Sequence, residues 1–331
     1  MGIQYIETST GELNYEQIAQ NQIIDQSEDD VISALKTEFK DDFKFRHKYF
    51  AIVQADGDNV GSLIKELESN NGDIMDLSTA LNDFVKGAAE ELVRYGAFPI
   101  YMGGDDLLFF APLTNENYES GIVNFDNNLS LTGNNLFFLL TRLNELFKNK
   151  LAPIVNIFMK DKPVSLSFGL SVGYYKKPMN EILDESYELL FYNAKKQPCK
   201  NYVALQLEKH SGQSFDFGFA QHTQLYYHFL KLCDESKGKK ESFLNSVMFK
   251  INDQKKIVIE IAMHLDKLKC FFDENFNEAK HKDYQSFFDA ARSIINETFK
   301  WFQHETDSQK ISRIYSCLRF VQFLNAMDSH E

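Results

Sequence analysis

Hydrophobic and polar positions fall into short apolar runs in the first two thirds of the chain and helical spacing in the last third. "KYFAIVQA" (48–55) is apolar and aromatic almost throughout, which predicts a buried strand. In 76–96, Leu77, Leu81, Phe84, Ala88 and Leu92 recur at three- and four-residue steps, with Gly96 at the end, which predicts a helix and its stop. "AFPIYM" (97–102) and "LLFFAPL" (107–113) read as two strands joined through GGDD. An Asn-rich loop (114–132) and a helix (134–151) follow, then a strand at 164–175 in which small or polar residues alternate with apolar ones. A helix opening on Pro178 (178–196) and a strand (201–207) complete this region. From about 215 onward only helical periodicity is left, and the polar lead carries two short helical patterns, near 14–24 and 28–39.

This order predicts an α+β fold: a ferredoxin-like βαββαβ palm over 48–214, an all-α C-terminal domain over 215–331, and a polar helical lead segment over 1–47. No internal repeat or low-complexity tract interrupts it.

The topology brings distant carboxylates together. A right-handed strand–helix–strand crossover makes the first and second strands parallel, so the end of the first strand lies at the same sheet end as the GGDD turn. Asp56 then meets Asp105 and Asp106, on strands only ~5 Å apart if the hairpin lies beside the first strand. Carboxylates that close repel unless they protonate or share cations, and hard oxygen ligands of this kind suit Mg²⁺ or Mn²⁺. Gly103 and Gly104 permit positive φ in a tight turn and leave room for a nucleotide. Gly57 and Gly61 flank the step from strand to helix, where backbone N–H groups can face phosphate oxygens. Asp58 reads either as a further metal ligand or as the N-cap of the next helix. Lys195 and Lys196, at a helix end, read either as solvated complements of the helix dipole or as triphosphate contacts. A GGDD alone is also an ordinary hairpin turn; Asp56 at the end of the preceding parallel strand favours a site.

Charge narrows the function classes. With 35 Lys+Arg against 48 Asp+Glu the formal net charge is −13, which argues against a free-standing nucleic-acid binder. Cys199, Cys233, Cys270 and Cys317 form no CxxC pair, so a zinc ribbon is not expected, and scattered single cysteines fit a reduced, cytoplasmic setting. No apolar run is long enough to span a bilayer, so no membrane partner is expected.

Four ordered stretches, "YFAIVQADGDNVG" (49–61), "YMGGDDLLFF" (101–110), "LSFGLSVGYYKKPMNEIL" (166–183) and "NAKKQPCKNYVALQLEKHSG" (193–212), resemble the large palm-containing subunit of type III CRISPR effector complexes, particularly its Cmr branch. The resemblance covers roughly 45–215 and implies the second palm of that subunit, of nucleotide cyclase/polymerase type, with its helical C-terminal domain. It implies a two-metal nucleotidyltransferase that converts ATP to cyclic or linear oligoadenylates in antiviral defence, or joins AMP to S-adenosylmethionine. Asp56 and Asp106 match the family's metal-binding carboxylates, with Asp105 beside them, and Lys195 matches a phosphate-contacting lysine. Implied partners are other effector subunits, guide RNA and target RNA. The HD nuclease domain and first palm usual in the family are missing from this sequence, so a second palm in trans or self-association is a further expectation.

Two rivals stand beside this reading. A GGDEF-type dinucleotide cyclase shares the palm, but Leu107 follows the acidic pair here. A non-catalytic scaffold within an RNA-guided complex is the other.

Overall fold

A computed structural model describes residues 44–125, 129–159, 162–276 and 282–325, with residues 33, 37 and 38. The predicted helix at 14–24 lies outside the described residues, and of the one at 28–39 only those three are described.

The strands β1 (Tyr49–Asp58), β2 (Phe98–Gly103), β3 (Asp106–Ala111), β6 (Ser165–Tyr174), β7 (Tyr202–Glu208) and β8 (Ser214–Ala220) form one sheet in the order β2-β3-β1-β6-β7-β8. The first four strands in this order are antiparallel neighbours, which is the ferredoxin-like arrangement read from the sequence. The β7 strand adds parallel to β6, and β8 closes the edge antiparallel to β7. The short pair β4 (Val123–Asn124) and β5 (Ser130–Leu131) lies within the Asn-rich loop.

One face of the sheet is covered by α2 (Ile74–Tyr95) and α3 (Leu136–Phe158), preceded by the short α1 (Val60–Ser69). Asp73 caps α2 by accepting from the Met75 N–H, and Gly96 ends it at φ 80°. Asn135 caps α3 by accepting from Phe137 and Phe138 N–H. The two helices meet through Phe84 and Phe147, with ring centroids 5.0 Å apart. Beneath them, Ala51, Val53 and Ala55 of β1 and Leu166, Phe168, Leu170 and Val172 of β6 are buried in a common core.

The opposite face is covered by α4 (Met179–Glu188) and a π-helical turn, Leu189–Ala194. Here β6 presents its small residues, and the packing explains them. A β-carbon on Gly169 would lie 2.2 Å from the Ser186 carbonyl oxygen and 2.4 Å from the Leu190 nitrogen. Only glycine lets the helix backbone approach the strand this closely.

Helices α5 (Gln224–Glu235), α6 (Glu241–Asp253), α7 (Lys255–Ile261), α8 (Leu265–Asn275), α9 (Gln285–Trp301) and α10 (Asp307–Asn325) complete the chain. They share the palm's core: Phe229 of α5 packs on Phe137 of α3 and on Phe217 and Phe219 of β8. Phe323 of α10 meets Tyr49 of β1 edge-on at 4.8 Å. The helical character expected from 215 onward therefore starts after β8, at Gln224. No helix among the described residues is long and apolar enough to cross a membrane.

Candidate active site

The β1–β3 register runs from Ala51↔Ala111 to Ala55↔Leu107, so one step further Asp56 faces Asp106. The Asp106 carboxyl lies within hydrogen-bonding reach of the Asp56 side chain. Burial, followed by the charges of Asp56 and Asp105, pushes the Asp106 carboxyl up to about 6. Asp105 is also raised, chiefly by burial and further by the Asp56 charge, against a backbone hydrogen bond and Lys195.

The turn that carries the pair has two residues, Gly104 and Asp105, between the paired Gly103 and Asp106. Gly104 has φ +66°, and positive φ at the first central position alone is the II′ pattern. Gly103 has ordinary φ, and the exposed Tyr101 side chain lies across it, its hydroxyl oxygen 2.3 Å from where a β-carbon would stand. Gly57 makes room for Asp105 in the same way, its absent β-carbon falling 2.5 Å from Asp105 Oδ2. Gly61, in the first turn of α1, has nothing within 4 Å of where a β-carbon would stand, so open space lies there.

Asp58 is neither a helix cap nor an exposed ligand. The N-cap of α1 is Asn59, without a side-chain capping bond. The Asp58 side chain is 0% exposed. Its Oδ2 accepts from Ser165 Oγ (2.7 Å), Ser167 Oγ (2.8 Å) and the Asn201 N–H (2.9 Å). Its Oδ1 accepts from Lys195 Nζ at 3.0 Å.

Lys195 follows the π turn, its N–H donating to the Leu190 carbonyl at 2.8 Å. It is not a solvated helix end. Its ammonium reaches the carbonyl oxygens of Asp56 and Gly57, each at 2.8 Å, as well as Asp58 and the Asp56 carboxylate. Lys196 instead lies over the Tyr192 ring, 4.6 Å from its centroid.

The strand order and register thus bring Asp56, Asp105, Asp106, Gly57, Gly103, Gly104 and Lys195 to one end of the sheet. Residues 49–204 match the model of the Cas10/Cmr2 second palm domain. These residues are similar to that palm domain. The chain is also 22% identical over 306 residues to the CRISPR system Cmr subunit Cmr2 of Pyrococcus furiosus, covering 84% of this chain and 31% of that protein. The chain therefore spans about a third of the length of that curated relative.

In this palm, no group of three or more His, Cys, Asp and Glu side chains among the described residues is arranged to hold a metal ion. The donor chemistry still fits a divalent cation: Asp56, Asp105 and Asp106 crowd their carboxylates together, raising Asp105 and Asp106, and a cation would relieve that crowding once Lys195 gives up Asp56. Asp56 and Asp106 would hold it. Sequence reasoning missed the Asp58 cage and the π turn. The alternation Ser165, Ser167, Gly169, Ser171, Gly173 was the available signal for a helix lying close on that face.

Proposed function

We propose that this chain is the catalytic palm of a type III CRISPR effector subunit and joins ATP into oligoadenylates. The observation that carries this reading is the Asp56–Asp106 pair, two carboxylates facing each other from neighbouring strands beside a lysine. A ribose hydroxyl of one ATP attacks the α-phosphorus of another; a phosphodiester forms, the bond to the bridging oxygen breaks, and pyrophosphate leaves. Divalent cations, Mg²⁺ or Mn²⁺, held by Asp56 and Asp106 would acidify the attacking hydroxyl and neutralise the leaving pyrophosphate. Gly103 and Gly104 keep the hairpin low enough for the nucleotide to approach. Gly61 leaves the first turn of α1 open, where backbone N–H groups favour phosphate. Asp105 adds negative charge beside the pair, and Lys195 supports the β1 carbonyls while contributing charge toward the phosphates.

In this reading the chain works with other effector subunits, guide RNA and target RNA, and with a second palm. S-adenosylmethionine as acceptor of AMP is the variant outcome. The test is incubation of the assembled complex with target RNA, ATP and Mn²⁺, with and without S-adenosylmethionine, followed by mass spectrometry. Oligoadenylates from ATP are expected; product from GTP alone would identify a GGDEF-like cyclase. ATP left unchanged would favour the scaffold reading, which the contact of Lys195 with Asp56 supports.

A further inference from the structure

The Lys195 ammonium has three N–H bonds to give and four oxygens around it. Those oxygens are the carbonyls of Asp56 and Gly57, Asp58 Oδ1 and the Asp56 carboxylate. One acceptor is surplus. The ammonium can release the Asp56 side chain and keep three partners without moving away. The acceptor that makes this possible is Asp58. Its carboxylate is fully buried and held by three further donors, two of them serine hydroxyls of β6 and one a backbone N–H, so it cannot follow the lysine elsewhere.

The left-handed backbone at Lys200 and Asn201 (φ 51° and 50°) turns the Asn201 N–H onto Asp58. That residue is fixed in turn. Asn201 Oδ1 accepts from Asn144 Nδ2 of α3 at 2.7 Å and from Gln221 Nε2 at 3.1 Å. The anchor of Asp58 therefore reaches into two other parts of the fold.

We infer that Asp58 is a positioning residue that retains Lys195, so that Asp56 can pass from the lysine to a divalent cation. This rests on the proposed reading that Asp56 holds a cation. Without a charged Asp58, Lys195 has three acceptors for three protons, one of them the Asp56 carboxylate. Giving up Asp56 then leaves a charged donor unpaired, and the lysine competes with the cation.

The test measures Mn²⁺ binding to the full chain by electron paramagnetic resonance for the wild type, Asp58→Asn, Lys195→Met and the double variant, with circular dichroism to check folding. Asparagine keeps an oxygen for the serines and the Asn201 N–H but presents no charge to Lys195. A hydrogen bond to a charged group is worth about tenfold or more in affinity, so Asp58→Asn is expected to weaken Mn²⁺ binding by at least about tenfold. Lys195→Met is expected to bind Mn²⁺ as tightly as the wild type or more tightly, and Asp58→Asn to add no loss in that background.

A folded Asp58→Asn with wild-type affinity overturns the inference, as does an undiminished loss in the Lys195→Met background. If Asp58→Asn does not fold, Lys195→Met decides alone: a folded Lys195→Met with weakened Mn²⁺ binding overturns the inference. Absence of Mn²⁺ binding by the wild type overturns it too. The expected binding pattern without ATP turnover in the assembled complex would count against the proposed reaction and leave the inference standing.

Discussion

The Asp105 side chain rests against the α-carbon of Gly57: a β-carbon built on Gly57 would lie 2.5 Å from Asp105 Oδ2 and 2.7 Å from Asp105 Cβ. It would also meet Val60 Cγ2 at 2.7 Å. Gly57→Ala is therefore expected to displace the GGDD hairpin, lowering stability by about 1–3 kcal/mol in denaturant unfolding, as overpacking does. ATP turnover is expected to fall at least about tenfold through misplacement of the carboxylates.

Gly61→Ala is the contrasting variant, because nothing occupies the space beside Gly61. Replacing glycine within a helix stabilises it by up to ~1 kcal/mol, so unfolding should shift to higher denaturant. If that opening admits the triphosphate, KM for ATP should rise while kcat changes little. Unchanged KM would remove Gly61 from the nucleotide site.

The raised carboxyl of Asp106 gives a pH dependence of stability. Between its ordinary value of 3.8 and about 6 the folded protein binds more protons than the unfolded chain, so stability falls as pH rises through that window. Asp106 is only partly withdrawn from solvent, so screening holds the effect to about 1 kcal/mol or less. Thermal melts in EDTA across pH 4–8 should show this decline in the wild type and a flatter profile in Asp106→Asn. Mn²⁺ should restore stability at neutral pH in the wild type alone.

The sequence made some of these relationships visible and hid others. The apolar runs and the GGDD turn were enough to place Asp56 beside Asp106, because crossover topology fixes which strand ends meet. The π turn at Leu189–Ala194 was hidden, since its apolar spacing does not differ from that of the α-helix it extends. Yet this turn carries Lys195 into the site. The role of Asp58 depends on strand register, which sets it against Ser165, and no local pattern reports that. The β8 strand was legible and was missed: Phe215, Phe217 and Phe219 alternate after a turn at Gly212 (φ 80°), but the helical residues that follow masked a short strand.

Gly169 shows how tightly the π-turn segment is held. Because its β-carbon would meet backbone atoms of Ser186 and Leu190, no side-chain rotation relieves Gly169→Ala. A loss of about 3 kcal/mol is expected. Melting temperature is the check, and an unchanged value would contradict the observed approach of α4 to β6.

Asn201 offers a comparison of backbone and side chain. Its φ of 50° penalises alanine by about 1–2 kcal/mol but not glycine. Both substitutions remove the side-chain bonds to Asn144 and Gln221. Asn201→Ala should thus be less stable than Asn201→Gly in equilibrium unfolding, and the opposite order would show that the left-handed conformation is not retained.

The central claim is that Asp56 and Asp106 together make a nucleotidyl-transfer site. Its most direct test is pyrophosphate release from ATP by the target-RNA-bound complex, comparing wild type with Asp106→Ala. Steady release with matching oligoadenylate is expected in the wild type and none above background in the variant, with folding retained. Equal release from both would contradict it.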